Sequence, residues 1–165
     1  MTEGMCDEIV DGKYRGWADR TADTLAKANP NFTYTNLAIR GKLLNQVIDD
    51  QIPAAVTYIT GPETLVSFHA GANDVLRPNY QADAAFAKYE KGISELAKTQ
   101  ATLIVFTVVD RVEGNGKTAQ LWHERFSAFN VNVRDVAKKY GAIIIEADDA
   151  KWMADLRFLA KDRLH

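Results

Sequence analysis

A chain of 165 residues with 47% hydrophobic and 25% charged residues has the size and composition of one soluble domain with a sizeable core. Its formal net charge of -2 provides no basic field, which argues against nucleic acid as the main partner. The single cysteine, Cys6, excludes an intrachain disulfide and a multi-cysteine metal site, and the longest apolar run, 103–109, is strand-sized, so no membrane span is expected.

Residues 1–13 carry two glycines and neither a strand nor a helix period, and read as a loop. Their acidic start lacks the basic and apolar stretches of a secretory signal, which makes a cytoplasmic location the default. Trp17, Thr21, Leu25 and Ala28 recur at helical spacing, and Asn29-Pro30 stops that helix. Phe32 to Ile39 is rich in β-branched and aromatic residues and predicts a strand running into Arg40-Gly41. Leu43, Leu44, Val47 and Ile48 mark one face of a short helix ending near Pro53. Thr64 to His69 predicts the next strand, which stops at Gly71 and throws Asn73 and Asp74 out at its C-terminal edge.

The second half repeats this rhythm. Phe86, Tyr89, Ile93 and Leu96 share one face of a helix from about Ala82 to Thr99, and a strand over Thr102 to Val109 follows. After a Gly-Asn-Gly loop, Trp122, Phe126, Phe129, Val133, Val136 and Tyr140 predict a long amphipathic helix closed by Gly141. Ala142 to Ala147 is the last clear strand. Nearly continuous apolar strands alternating with amphipathic helices predict a single α/β domain, its parallel sheet covered on both faces.

In such a fold ligands bind at the C-terminal edge of the sheet. Asn73 offers there an amide that can donate to a developing oxyanion, although an Asn-Asp pair also suits a plain turn, and Gly71 is equally read as a tight-turn residue. Gly41, directly after a predicted strand, can present its N–H to a substrate or merely end the strand. Asp162 and His165 lie three residues apart, close enough in a turn for the carboxylate to hold one imidazole nitrogen and leave the other as a general base. His69 reads as a packed imidazole at a strand end, His123 as a surface group, and the aromatic stripe of the long helix as core. Asp148-Asp149 has no further ligand at metal spacing and reads as a solvated loop or cap, so no metal is expected.

Asn36-Leu37-Ala38-Ile39-Arg40-Gly41, Gly71-Ala72-Asn73-Asp74 and Asp162-Arg163-Leu164-His165 resemble, in order, three of the four blocks of the SGNH (GDSL-type) hydrolases, and Thr2-Glu3-Gly4 is similar to the tail of the first. The resemblance implies a flavodoxin-like three-layer sandwich and ester hydrolysis through a serine acyl-enzyme. It makes His165 the general base and Asp162 its orienting carboxylate. Gly41, Asn73 and the nucleophile's own N–H form the oxyanion hole, with Gly71 and Asp74 as supporting loop residues. It implies no metal or organic cofactor, and a small-molecule, lipid or sugar ester as substrate.

In that alignment the nucleophilic serine stands just before Met1, and its strand is missing. Ser67, Ser94 and Ser127 fall in a strand and two helices, and Cys6 lies beyond Gly4 of the block. Residues 1–165 are therefore expected to be one SGNH-like domain, incomplete at both ends and inactive as it stands. Losing a buried strand removes on the order of 10 kcal/mol, comparable with a typical net stability. The chain alone is accordingly expected to fold poorly or to pair through the open gap in its sheet. The oligomeric state is left open. The alternative reading is a non-catalytic α/β binding or interaction domain.

Overall fold

The computed structural model describes residues 2–110, 112, 114 and 116–148. They fall into two compact units, 2–41 and 42–148.

The first unit begins with a small antiparallel hairpin, β1 (Ile9–Val10) and β2 (Lys13–Tyr14), where a loop was expected. Its signal is Asp11-Gly12, the two-residue turn whose positive φ angles match the twist of a tight hairpin. The helix α1 (Trp17–Ala28) follows as its spacing predicts. The Asp19 carboxylate accepts from the N–H of the preceding Gly16 at 2.8 Å, satisfying a backbone donor that the first turn leaves open. Residues 32–39 are not a strand. Their composition favours β structure, but among the described residues no strand lies beside them to form a ladder, and propensity without a pairing partner does not make a strand. Side chains take up their polar groups instead. Asn36 Oδ1 accepts from Ala38 N at 3.0 Å, and Tyr34 Oη donates to Asp19 at 3.0 Å.

The second unit opens with α2 (Leu44–Gln46), a π-helical turn over Val47–Gln51, and α3 (Ile52–Val56). The expected stop near Pro53 does not occur. The wide turn shifts the hydrogen-bond register just before the proline, so Pro53 falls in the first turn of α3, where its missing N–H removes no bond. Leu44, Val47, Ile48 and Ile52 form the buried face of this stretch.

The sheet is parallel, in the order β3 (Leu65–Phe68), β4 (Thr102–Phe106), β5 (Ile143–Ile145). Between the first pair run α4 (Ala72–Val75) and α5 (Ala82–Ala97), and between the second α6 (Lys117–Tyr140). The two crossovers step in the same direction across the sheet, and their helices α5 and α6 pack together. Phe68, Leu103 and Val105 point into this core and meet Tyr89, Ile93, Phe129 and Val133. Tyr89 stands edge-on to both Phe68 and Phe129, with ring centroids 5.5 Å apart in each pair. On the other face Leu65, Ile143 and Ile145 are exposed. The unit is thus an α/β fold around a parallel sheet, as expected, but among the described residues of this unit the helices cover one face of the sheet and not both. No described helix is long and apolar enough to cross a membrane.

Candidate active site

The chain leaves β3 through Gly71, whose φ of 114° is a conformation that side chains disfavour. A Cβ there would also run into the ring of Phe129, so the turn lies directly on the core. It opens α4, where two adjacent side chains reach back to the start of the unit. Asn73 Nδ2 donates to the Lys42 carbonyl at 3.0 Å, and Asp74 Oδ2 accepts from Leu44 N at 2.9 Å. The first contact fixes which end of the Asn73 amide is nitrogen and occupies one of its two protons, leaving the second N–H to donate elsewhere. The second contact caps the first turn of α2. Burial pushes the Asp74 carboxyl above its ordinary range, and the Leu44 N–H opposes that rise.

Gly41 ends the first unit with φ of 76°, and a Cβ there would meet nothing within 4 Å. The segment leading to it is tied to the start of the chain. The Glu3 carboxylate accepts from Arg40 N, and Asn36 Nδ2 donates to the Thr2 carbonyl at 3.2 Å. Gly4 lies backbone to backbone on Gly16, so close that a Cβ on Gly4 would stand 2.6 Å from the Gly16 Cα. Thr2 and Glu3 are therefore hydrogen-bonded to 36–41, while Gly4 packs on Gly16.

Asp162 and His165 lie outside the described residues. His69 is stacked on Phe106, with centroids 5.1 Å apart, and burial pushes its imidazole down to about 4, so it is neutral at pH 7. His123 is not the plain surface group expected. Its Nδ1 pairs with the Asp110 carboxylate just past β4, and that bond raises its pKa. Ser67, Ser94 and Ser127 sit in β3, α5 and α6. Among the described residues no group of three His, Cys, Asp or Glu could hold a metal ion.

Asp148 lies in an exposed turn, in line with the loop expected there, but its carboxylate is held by several partners. Its Oδ1 accepts from Thr107 Oγ1 at 2.7 Å, and its Oδ2 accepts from Arg134 Nη2 at 2.6 Å and Asn130 Nδ2 at 3.1 Å. Its own N–H donates back to Thr107 Oγ1 at 3.0 Å. Burial alone would raise its pKa, but the bonds from Thr107 and Arg134 outweigh this and hold the carboxyl below its ordinary value. Thr107 and Asn130 are buried, at 0% and 3% exposure. Asn130 carried a legible signal. It stands between Phe126 and Val133 on the apolar stripe of α6, and a polar residue there must find partners in the interior.

Residues 1–165 match the family model of the GDSL-like Lipase/Acylhydrolase family. The chain belongs to this family. It is a hydrolase acting on ester bonds. Solved esterases share its fold. Axe2, an acetylxylan esterase from Geobacillus stearothermophilus, is 17% identical, with a TM-score of 0.69 over 93% of this chain and 74% of its own. The psychrotrophic esterase EstA from Pseudoalteromonas sp. is 13% identical, with a TM-score of 0.70 over 92% and 76% of the respective chains. A mutant of the esterase AlinE4 is 14% identical, with a TM-score of 0.75 over 99% and 81%. None of the curated proteins matches the chain by sequence.

Proposed function

We propose that this family member cleaves a small acyl ester, of lipid or sugar type, through a serine acyl-enzyme, and works in the cytoplasm. The nucleophile is a serine immediately N-terminal to Met1. His165 takes the seryl proton as the oxygen attacks the acyl carbon, and Asp162 holds the imidazole in the required tautomer. The Asn73 amide and the Gly41 N–H donate to the oxyanion that forms, together with the nucleophile's own N–H. The intermediate collapses with loss of the alcohol, His165 returning the proton to it, and water then releases the acyl group by the reverse sequence.

The observation that supports this reading best is the Asn73 amide. The Lys42 carbonyl holds it by one proton at the C-terminal edge of the sheet, and the other proton is unspent in that contact. Such a preoriented donor stabilises a transition state without reorganising during the reaction. The test uses the full-length gene product, nucleophile included, and a short-chain chromogenic ester. Asn73→Ala is expected to lower kcat by about 10²–10³ with the fold intact. An unchanged kcat removes Asn73 from the mechanism.

A further inference from the structure

The carbonyl that holds Asn73 belongs to a peptide unit that is itself held from behind. In a trans peptide the C=O and N–H of one unit share a plane and point in opposite directions. In the unit joining Lys42 to Leu43, the Lys42 carbonyl accepts from Asn73 Nδ2 at 3.0 Å, and the Leu43 N–H donates to Gln46 Oε1 at 3.0 Å. The next unit is fixed in the same way. Its Leu43 carbonyl accepts from Val47 N at 3.0 Å, and its Leu44 N–H donates to Asp74 Oδ2 at 2.9 Å. Two successive peptide planes are therefore each tied at both ends, once by a side chain of α4 and once by the helical stretch that follows them.

Gln46 is the third residue of α2 and reaches back to the N–H just before that helix, as one half of a capping box does. Such a glutamine ordinarily only satisfies an open backbone donor. Here the same bond also sets the tilt of the plane whose opposite end orients Asn73. With the Leu43 N–H turned to water, that plane would rotate about the single bonds flanking it, and the Lys42 carbonyl would swing away from the Asn73 amide. A donor to an oxyanion acts only when it stands within about 2.7–3.1 Å of the oxygen, so a small swing matters. We infer that Gln46 is a positioning residue for this reaction. Through the peptide between Lys42 and Leu43 it aims the second N–H of Asn73 at the oxygen that gains charge. This inference rests on the assignment of Asn73 under the proposed function.

The experiment compares Gln46→Met, Gln46→Glu, Asn73→Ala and the double variant Gln46→Met with Asn73→Ala, in the full-length gene product with a short-chain chromogenic ester. Activity is expressed per active serine, titrated with a phosphonate ester, so that unfolded molecules do not count. Methionine keeps the length and helix preference of glutamine but offers no oxygen to the Leu43 N–H. It is expected to lower kcat about tenfold with KM changed less than about twofold, because a misplaced donor is missed in the transition state and not in the bound ester. Glutamate restores an acceptor at the same reach, and Gln46→Glu should keep kcat within about twofold of the unsubstituted enzyme. In the Asn73→Ala background Gln46→Met should cost less than about twofold more, since the group it aims is gone. A merely structural role would lower the yield of active serine and leave kcat per serine unchanged. That result, with Asn73→Ala slow, overturns the positioning role alone. So does a Gln46→Glu variant as slow as Gln46→Met, or a loss that persists in full in the Asn73→Ala background. An Asn73→Ala variant with unchanged kcat overturns the underlying assignment, and the positioning role with it.

Discussion

Residues 65–71 and 32–41 both run into a glycine at positive φ, yet they are held by different physics. The first lies in a parallel ladder, with Phe68 in the core and Gly71 pressed on Phe129. The second has no ladder, is largely exposed, and depends on side chains, with Asn36 and Glu3 as the main tethers. The turn at Gly71 is thus set by packing and the turn at Gly41 by polar contacts. Packing tolerates almost no added volume, whereas an exposed polar tether yields at small cost.

Substitution of the two glycines should expose this difference most strongly. Gly71→Ala places a methyl group against Phe129 in a disfavoured backbone conformation, and a loss of about 3–5 kcal/mol is expected in urea unfolding. Shortening the obstacle, in Gly71→Ala with Phe129→Leu, should leave a smaller loss than the sum of the two single changes. Simple additivity would show that backbone strain, not collision, dominates at this site.

Acid should separate the regions next. His69, at the end of β3, has its folded pKa depressed to about 4 by burial, so between that value and 6.5 the unfolded chain binds the proton more readily. The contribution is complete above about pH 6.5, declines as the pH falls, and is gone below about pH 4. The stability difference between pH 7 and pH 4 should shrink by about 2–3 kcal/mol in His69→Phe. An identical pH dependence in that variant would mean that the imidazole is solvated. The smallest effect is expected at Gly41→Ala. No atom opposes the added methyl, so only the backbone preference is lost, about 1 kcal/mol. A loss as large as that of Gly71→Ala would show that 32–41 is packed after all.

Much of this organisation was legible in the chain. The apolar spacing of 82–96 and 122–140 located α5 and α6, because a helix packed on one side must repeat its apolar positions every three or four residues. Strand composition was less reliable. Leu65 to Phe68 and Phe32 to Ile39 look alike locally, and only a neighbour with which to exchange hydrogen bonds separates them. Pro53 was misread because the π-helical turn that accommodates it depends on how Val47, Ile48 and Ile52 pack, which a single proline does not announce. In the turn after β3, Gly71, Asn73 and Asp74 were identifiable by type, while the partners of Asp148 were hidden up to 41 positions away.

The sequence by itself determined the α/β rhythm, the helix faces, the family blocks and the glycine turns, because these follow from local backbone preference and from the periodicity of apolar residues. Tertiary structure alone decided which β-rich segment joined the sheet, that Phe129 forbids a side chain at Gly71, that Lys42 and Leu44 hold Asn73 and Asp74, and that Arg134 and Thr107 bind the Asp148 carboxylate. Each of these is a meeting of groups far apart in the chain, and such meetings are set by the closing of the core rather than by neighbours in sequence.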